Sequence, residues 1–123
     1  MIGRSAVGID ILSIDRLERA IEKRPALASR LFTQHELDAC AKRARPAKHL
    51  AGRYCVKEAS IKALGLRAIS PADIEVLGGR DEGVRVALKG SAKKHADELG
   101  VELFVSLTHD GDTAAAVAMA TPI

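Results

Sequence analysis

Residues 49–65 read HLAGRYCVKEASIKALG and predict one long helix, roughly residues 47–64, with Gly65 at its C-terminal end. At about 100° per residue, an apolar stripe follows one side of this helix: Leu50, Tyr54, Ile61 and Leu64. The opposite side carries the smaller side chains Gly52, Val56, Ala59 and Ala63, which allow close backbone packing. We therefore expect the helix to be enclosed on several sides and to organise the fold.

The same helix carries charges that an enclosed position would make costly: Arg53, Lys57, Glu58 and Lys62. Such charges need a partner or a bound ion. Glu58 and Lys62 are four residues apart and lie side by side. Two interpretations stay open, namely an ordinary surface ion pair, or a site in which Glu58 binds a metal ion and Lys62 faces phosphate.

A first strand is predicted over residues 5–12, SAVGIDIL, with Ile9 on one face and Asp10 on the other. Aspartate is disfavoured inside strands. Asp10 therefore indicates a ligand or metal contact, unless it faces water on an edge strand. If Asp10 and Glu58 converge, their carboxylates form the hard oxygen site that Mg²⁺ prefers.

The remaining patterns predict a single α+β domain over residues 1–123, with a largely antiparallel sheet packed with the long helix. The elements are a helix over 14–23 capped by Ser13, a short helix opened by Pro25, a helix from the Thr33–Glu36 capping box to about Ala44, a loop over 66–72, a hairpin of strands 74–77 and 84–88, a helix capped by Ser91 and ending at Gly100, and strands 101–107 and 113–121.

Composition narrows the function without selecting one. The 123 residues carry a net charge of +3, which favours anionic partners such as phosphates, nucleic acid or an acidic protein. Aromatic residues make up only 2%, which weighs against a surface that stacks bases. No apolar run is long enough to span a membrane, and no secretory signal is evident. We expect a cytoplasmic protein with free thiols at Cys40 and Cys55.

Two further polar features are ambiguous by themselves. His109 ends a regular strand just before a tight turn, a common location for functional residues, whereas His49 lies in an ordinary polar helix context. Arg16 belongs to a basic stripe on the first helix, which is either solvated or a docking surface for an acidic protein. A small basic module that binds RNA or an acidic protein without catalysis therefore stays a rival hypothesis.

Several motifs in order resemble one family over almost the whole chain. LAGRYCVKEASIKALG is similar to the AGRxxxKExxxKAxG signature of holo-acyl-carrier-protein synthases, a 4′-phosphopantetheinyl transferase family. GIDILSIDR, LFTQHEL, ADIEV and VSLTHDGDTAAAVA resemble its other motifs. Three departures are Ala6 in place of a glycine, Leu66–Ile69 in place of TGIG, and Gly83-Val84-Arg85 in place of GKP, so the pose of the loop after the helix stays open.

The resemblance implies transfer of 4′-phosphopantetheine from coenzyme A to a serine of apo-acyl carrier protein in fatty acid biosynthesis, although polyketide or peptide-synthase carriers stay possible. It implies that Asp10 and Glu58 bind Mg²⁺, that Glu58 and Lys62 are catalytic, and that Lys62 lies by the pyrophosphate. It places Arg53, Thr108 and His109 by coenzyme A, and Arg16 against the carrier protein.

The resemblance also implies a homotrimer with active sites between subunits. A short chain buries a limited share of its surface, so a subunit interface is a natural addition. Strand 113–121 is rich in alanine, which is too small for a thick core layer but suits close approach of another element or chain. We expect a large residue at Ala116 or Ala118 to disturb assembly, unless that position faces the subunit's own core.

Overall fold

Five helices and five strands make up the part of the chain that the computed structural model describes, residues 5–65, 68–79 and 82–123. The element order is β1 (Ala6–Ser13), α1 (Ile14–Lys23), α2 (Ala26–Leu31), α3 (Gln34–Ala41), α4 (Pro46–Ala63), a 3₁₀ turn (Pro71–Asp73), β2 (Ile74–Gly78), β3 (Val84–Leu88), α5 (Gly90–Leu99), β4 (Val101–Asp110) and β5 (Thr113–Pro122). Within the described ranges, no helix is both long and apolar enough to cross a membrane.

The strands form two antiparallel sheets. A three-stranded sheet has the order β1-β5-β4, and β2 pairs with β3 in a separate hairpin. Asp10 on β1 stands opposite Ala116 on β5, which stands opposite Leu107 on β4. Asp10, Ala116 and Leu107 therefore share one face of the larger sheet, which we call the inner face.

Helix α4 packs on this inner face at very short range. Gly8 makes the contact possible, because a Cβ there would lie 1.9 Å from the carbonyl oxygen of Ala59. Ala114, Ala116, Ala118 and Ala120 are all at most 5% exposed on the same face. Of the two expected roles, close approach of another element or of another chain, these four alanines serve the first, since they form the contact between β5 and the chain's own α4.

The opposite, outer face of the larger sheet is apolar and exposed. Val7, Ile9 and Ile11 of β1 are 66%, 66% and 71% exposed, and Phe104, Val117 and Met119 continue the surface across β4 and β5. Exposed apolar patches of this kind commonly mark an interaction surface. The larger sheet thus presents one face to the core, while its other face is uncovered by the described residues.

Local signals predicted most element ends. Thr33 and Glu36 form the expected capping box, and Ser13 caps α1 through the amide of Arg16. Gly65 follows α4 with φ +96°, which glycine tolerates best. The expected Ser91 cap is wrong, because α5 begins at Gly90 and its N-cap residue is Lys89.

Ser91 instead bonds Asp73, whose carboxylate accepts from the Ser91 amide at 2.9 Å and from its hydroxyl at 2.8 Å. Helix α3 ends at Ala41 and not near Ala44. Of the predicted loop 66–72, residues 66 and 67 lie outside the described residues, and its end enters the 3₁₀ turn.

Candidate active site

Asp10 and Lys62 meet where β1, an edge strand of the larger sheet, is covered by α4. The Lys62 ammonium lies 3.5 Å from Asp10 Oδ1 and donates to the backbone carbonyl of Ile9 at 2.9 Å. The Asp10 side chain is 18% exposed and the Lys62 side chain 44%. Lys62 is thus engaged by β1. In the described structure, Lys62 therefore pairs with Asp10, and the expected surface pair of Lys62 with Glu58 is not formed.

Glu58 lies one helical turn before Lys62 on α4 and completes a group that we call the carboxylate cluster: Asp10, Tyr54, Glu58 and Lys62. Burial, then the Glu58 carboxylate and then that of Asp10 raise the pKa of Tyr54 to about 12. Burial and then Asp10 likewise raise the pKa of Cys55 to about 12. Both carboxylates therefore act on the same two neighbours.

The carboxylate cluster fits a hard divalent cation. Mg²⁺ is usually held by one or two carboxylates, with waters and substrate phosphates completing its coordination. Asp10 and Glu58 supply that number, and the tyrosine and thiol beside them stay protonated at neutral pH. No group of three or more His, Cys, Asp or Glu side chains in the described part of the chain forms a metal site, so substrate and water would supply the other oxygens.

A second feature, the basic cleft, opens on the other side of α4. Its volume is about 810 Å³. The lining residues come from α3 and the turn after it, from α4, from the tip of the β2–β3 hairpin and from β4: Ala39, Lys42, Arg43, His49, Arg53, Gly78, Gly79, Glu82, Val84, Leu107 and His109. Four cationic or imidazole side chains accompany Arg53 there, which suits an anionic ligand.

Arg53 and His109 each present a nitrogen without a protein partner. Arg53 Nη2 donates to the carbonyl of Gly78 at 3.4 Å, but its Nε, like Nε2 of His109, is buried with no hydrogen-bond partner in the described structure. Buried polar atoms are normally satisfied. Both residues line the cleft, and each therefore keeps one unsatisfied nitrogen beside it.

His49 was missed as a site residue by sequence analysis. Its ring contacts that of His109 edge to face, with centroids 5.9 Å apart. Burial, followed by the charge of Arg43, lowers the pKa of His49 to about 4, and burial lowers that of His109. Both rings are neutral at pH 7. The spacing of His49 four residues before Arg53 was the available signal, since it places both on one helix face.

The two residues of the Thr108–His109 motif point in opposite directions. His109 follows the inner-face alternation of β4 and enters the basic cleft, whereas Thr108 is exposed on the outer face. Thr108 instead lines a shallow groove of about 230 Å³ with Ile9 and Val117. Within one chain, the side chains of Thr108 and His109 therefore line different cavities.

The carboxylate cluster and the basic cleft lie on opposite sides of α4. Arg53 and Lys62 are nine residues apart, which corresponds to about 13.5 Å along the helix and about half a turn around it. The helix body, packed on the sheet, stands between them. The predicted site residues thus form two separate half-sites within one chain.

Arg16 lies on neither half-site. It is exposed on α1, next to a pair formed by Arg19 and Asp15 at 2.9 Å. Arg45 of the turn before α4 reaches back to Glu18 on the same helix at 3.2 Å. Arg16 is therefore a solvent-facing cation on a helix fixed to α4.

Comparison with known proteins confirms the resemblance. The family model of the 4′-phosphopantetheinyl transferase superfamily matches residues 6–118, and the chain belongs to this family. Among similar proteins, a holo-[acyl-carrier-protein] synthase of Moorella thermoacetica is 47% identical over 115 residues, covering 91% of this chain and 90% of that one. One from Caldanaerobacter subterraneus is 39% identical, with 93% and 92% covered.

Solved structures agree on the fold. An ACPS–CoA complex from Chronobacterium ammoniagenes superposes with a TM-score of 0.86 at 29% identity, covering 98% of each chain. A Helicobacter pylori holo-[acyl-carrier-protein] synthase in complex with coenzyme A gives a TM-score of 0.80 at 27% identity, covering 94% of this chain and 99% of that one. The predicted α+β fold of this transferase family is confirmed.

Proposed function

We propose that this chain transfers 4′-phosphopantetheine from coenzyme A to a serine of apo-acyl carrier protein, releasing adenosine 3′,5′-bisphosphate, in the cytoplasm and for fatty acid biosynthesis. Membership of the transferase family supports the reaction. The observation that carries it is the placement of Lys62 against Asp10, one turn from Glu58, on a chain that also holds a basic cleft. A non-catalytic basic module has no need of this cluster. Residues 1–123 act as one catalytic domain.

Asp10 and Glu58 are the residues that would hold Mg²⁺. When bound there, the cation would supply positive charge that compensates the charge developing on the diphosphate during transfer. Lys62, already held at the cluster by Ile9 and Asp10, adds a positive charge beside the diphosphate. Glu58 accepts the proton of the attacking serine through a water.

The bonds exchanged are few. The serine oxygen forms a bond to the phosphorus that carries pantetheine, and the bond from that phosphorus to the oxygen of adenosine 3′,5′-bisphosphate breaks. The protein positions the two partners and compensates charge. Arg53, His109 and Thr108 contact coenzyme A, and the cations Lys42 and Arg43 of the basic cleft add to its binding of phosphate.

Separation of the two half-sites supports active sites that are shared between subunits, and we propose that the assembly is a homotrimer. One substrate molecule cannot pass through α4 to reach both half-sites of one chain, but it can lie between the carboxylate cluster of one subunit and the basic cleft of another. The exposed outer face supplies an apolar surface for such assembly. Arg16 on α1 then binds the acidic carrier protein.

Intact-mass measurement of the carrier tests the proposal. Apo-carrier incubated with coenzyme A, Mg²⁺ and this protein should gain the mass of one phosphopantetheinyl group. Asp10→Ala and Glu58→Ala should each nearly abolish the gain while the circular dichroism spectrum stays native. Lys94→Ala, an exposed change on α5, is the control and should leave the rate unchanged. An unmodified carrier with the native protein would refute the proposed function.

A further inference from the structure

Lys57 and Glu36 form a fully buried ion pair outside both half-sites. The Lys57 ammonium lies 2.7 Å from Glu36 Oε1, and both side chains are 0% exposed. The ammonium also donates to the carbonyls of Pro71 at 2.9 Å and Ile74 at 2.7 Å, so all three of its protons are used. The pair has no free group to offer a substrate.

Glu36 is equally saturated. Its Oε1 also accepts from the amide of Thr33 at 2.9 Å, and its Oε2 accepts from the amide of Val76 at 2.9 Å. The pair therefore joins α3, α4, the 3₁₀ turn and β2 at a single point. A buried ion pair is commonly no more stabilising than apolar side chains of similar volume. Its directional bonds, however, fix how these elements sit against one another.

Three of the joined elements, α3, α4 and β2, also contribute to the lining of the basic cleft. Arg53 is one helical turn before Lys57 on α4, and Gly78 is two residues beyond Val76 on β2. Lys42 and Arg43 follow directly after α3, which carries Glu36. The hydrogen bond from Arg53 to the Gly78 carbonyl, at 3.4 Å, also links α4 to β2, at the lining of the cleft.

We propose that Lys57 and Glu36 are positioning residues that set the spacing of the cationic side chains in the basic cleft. They hold α3 and β2 in place against α4, so that Lys42, Arg43 and Arg53 line one cleft. This proposal rests on the proposed function in one respect, namely that the ligand of the basic cleft is coenzyme A. Loosening the pair should weaken ligand binding more than turnover.

Glu36→Asp tests this, because it keeps the charge but shortens the reach by one methylene. We expect the Kd for coenzyme A, measured by calorimetry without Mg²⁺, and the KM for coenzyme A each to rise about tenfold. The kcat, the carrier KM and the Mg²⁺ concentration for half activity should stay within about twofold. Adenosine 3′,5′-bisphosphate serves as a second calorimetric probe.

Val56→Ala is the matched control, since Val56 is 0% exposed on α4 beside Lys57 but makes no part of the ion pair. It should lower the melting temperature comparably and leave the coenzyme A Kd nearly unchanged. Equal weakening of coenzyme A binding by both variants would overturn the proposal, as would a loss confined to kcat in Glu36→Asp.

Thiol labelling gives a readout that needs no ligand. Cys40 lies one turn after Glu36 on α3 and is 1% exposed, whereas Cys55 on α4 is 0% exposed. Glu36→Asp should speed modification of Cys40 several-fold and leave Cys55 protected, as followed by peptide mass spectrometry. Unchanged Cys40 labelling would overturn the proposal. Thiol labelling does not require transfer activity. An inactive native protein would therefore refute the proposed function, whereas the labelling experiment would still test the role of the ion pair.

Discussion

Replacing Gly8 by alanine should separate α4 from β1 at the carboxylate cluster. A Cβ at residue 8 would lie 1.9 Å from the Ala59 carbonyl oxygen and 2.8 Å from the Ala63 amide nitrogen. Ordinary contacts between heavy atoms are about 3.5 Å, so the helix must retreat by about 1.5 Å. The obstacle is helix backbone, which cannot rotate away as a side chain would.

The expected cost follows from that displacement. Overpacking a core typically lowers the free energy of unfolding by about 1–3 kcal/mol. We expect about 3 kcal/mol here, at the upper end of this range, because the clash is between backbone and Cβ and not between two side chains. For a domain of this size, the melting temperature should fall on the order of 10 °C. Asp10 and Glu58 adjoin the contact on β1 and α4, so the Mg²⁺ concentration needed for half activity should rise at least several-fold.

Denaturant unfolding and Mg²⁺ titration of transfer measure the two effects, with Gly52→Ala as the control. A Cβ at residue 52 would lie 2.8 Å from Nε2 of His109, a side chain that can rotate. Gly52→Ala should therefore cost less stability and raise the coenzyme A KM without changing the Mg²⁺ requirement. A Gly8→Ala protein within about 0.5 kcal/mol of native stability and with native Mg²⁺ dependence would refute the close-packing argument.

Three further changes probe other surfaces. Val117→Asp should lower the oligomer mass in sedimentation at micromolar concentration and reduce activity with it, whereas Ile123→Asp, an exposed change just beyond the end of β5, should do neither. Asp112→Asn should lower the melting temperature at pH 7, because hydrogen bonds from the Ser13 hydroxyl and the Asp15 amide stabilise the Asp112 carboxylate and lower its pKa. This stabilisation is present above the unfolded pKa of about 3.9 and is lost as the pH falls through the lower, folded pKa. A difference in melting temperature between the two proteins that does not shrink between pH 5 and pH 3 would contradict this prediction. Arg16→Glu should raise the carrier KM several-fold at low salt without changing the coenzyme A KM, and Lys94→Glu, with the same charge change, should not; an equal rise in both KM values would place Arg16 at the nucleotide.

The fold was predictable where local chemistry decides it. The Thr33–Glu36 capping box, Pro46 at the start of α4 and Gly65 after its end are each set by the residue and its neighbours. The role of the β5 alanines was not predictable from the sequence, because it depends on which face of β5 meets α4. The alternation of small residues with Val117 and Met119 marks two different faces, but only the register with β1 and β4 identifies the inner one.

The candidate site was likewise predictable from the sequence only in part. Asp10 was recognisable because aspartate is rare inside strands, and its neighbour Lys62 because a cation on an enclosed helix needs a partner. The basic cleft was not recognisable, since its cations come from segments that are distant in sequence and each has an ordinary local context. Lys57 was noted as a costly charge, but its partner Glu36 lies 21 residues earlier, inside a capping box that already explained it.

Strand geometry links the proposed assembly to the proposed binding of coenzyme A. Neighbouring residues of a strand point to opposite faces, so Thr108 and His109 cannot both reach a ligand that lies on one face of their own sheet. Thr108 borders the exposed apolar face, and His109 enters the basic cleft. A ligand touched by both must therefore lie at the rim of the sheet or meet Thr108 of a second chain. The second arrangement would also cover the apolar face. We therefore expect loss of assembly in Val117→Asp to remove transfer even where each isolated chain still binds Mg²⁺.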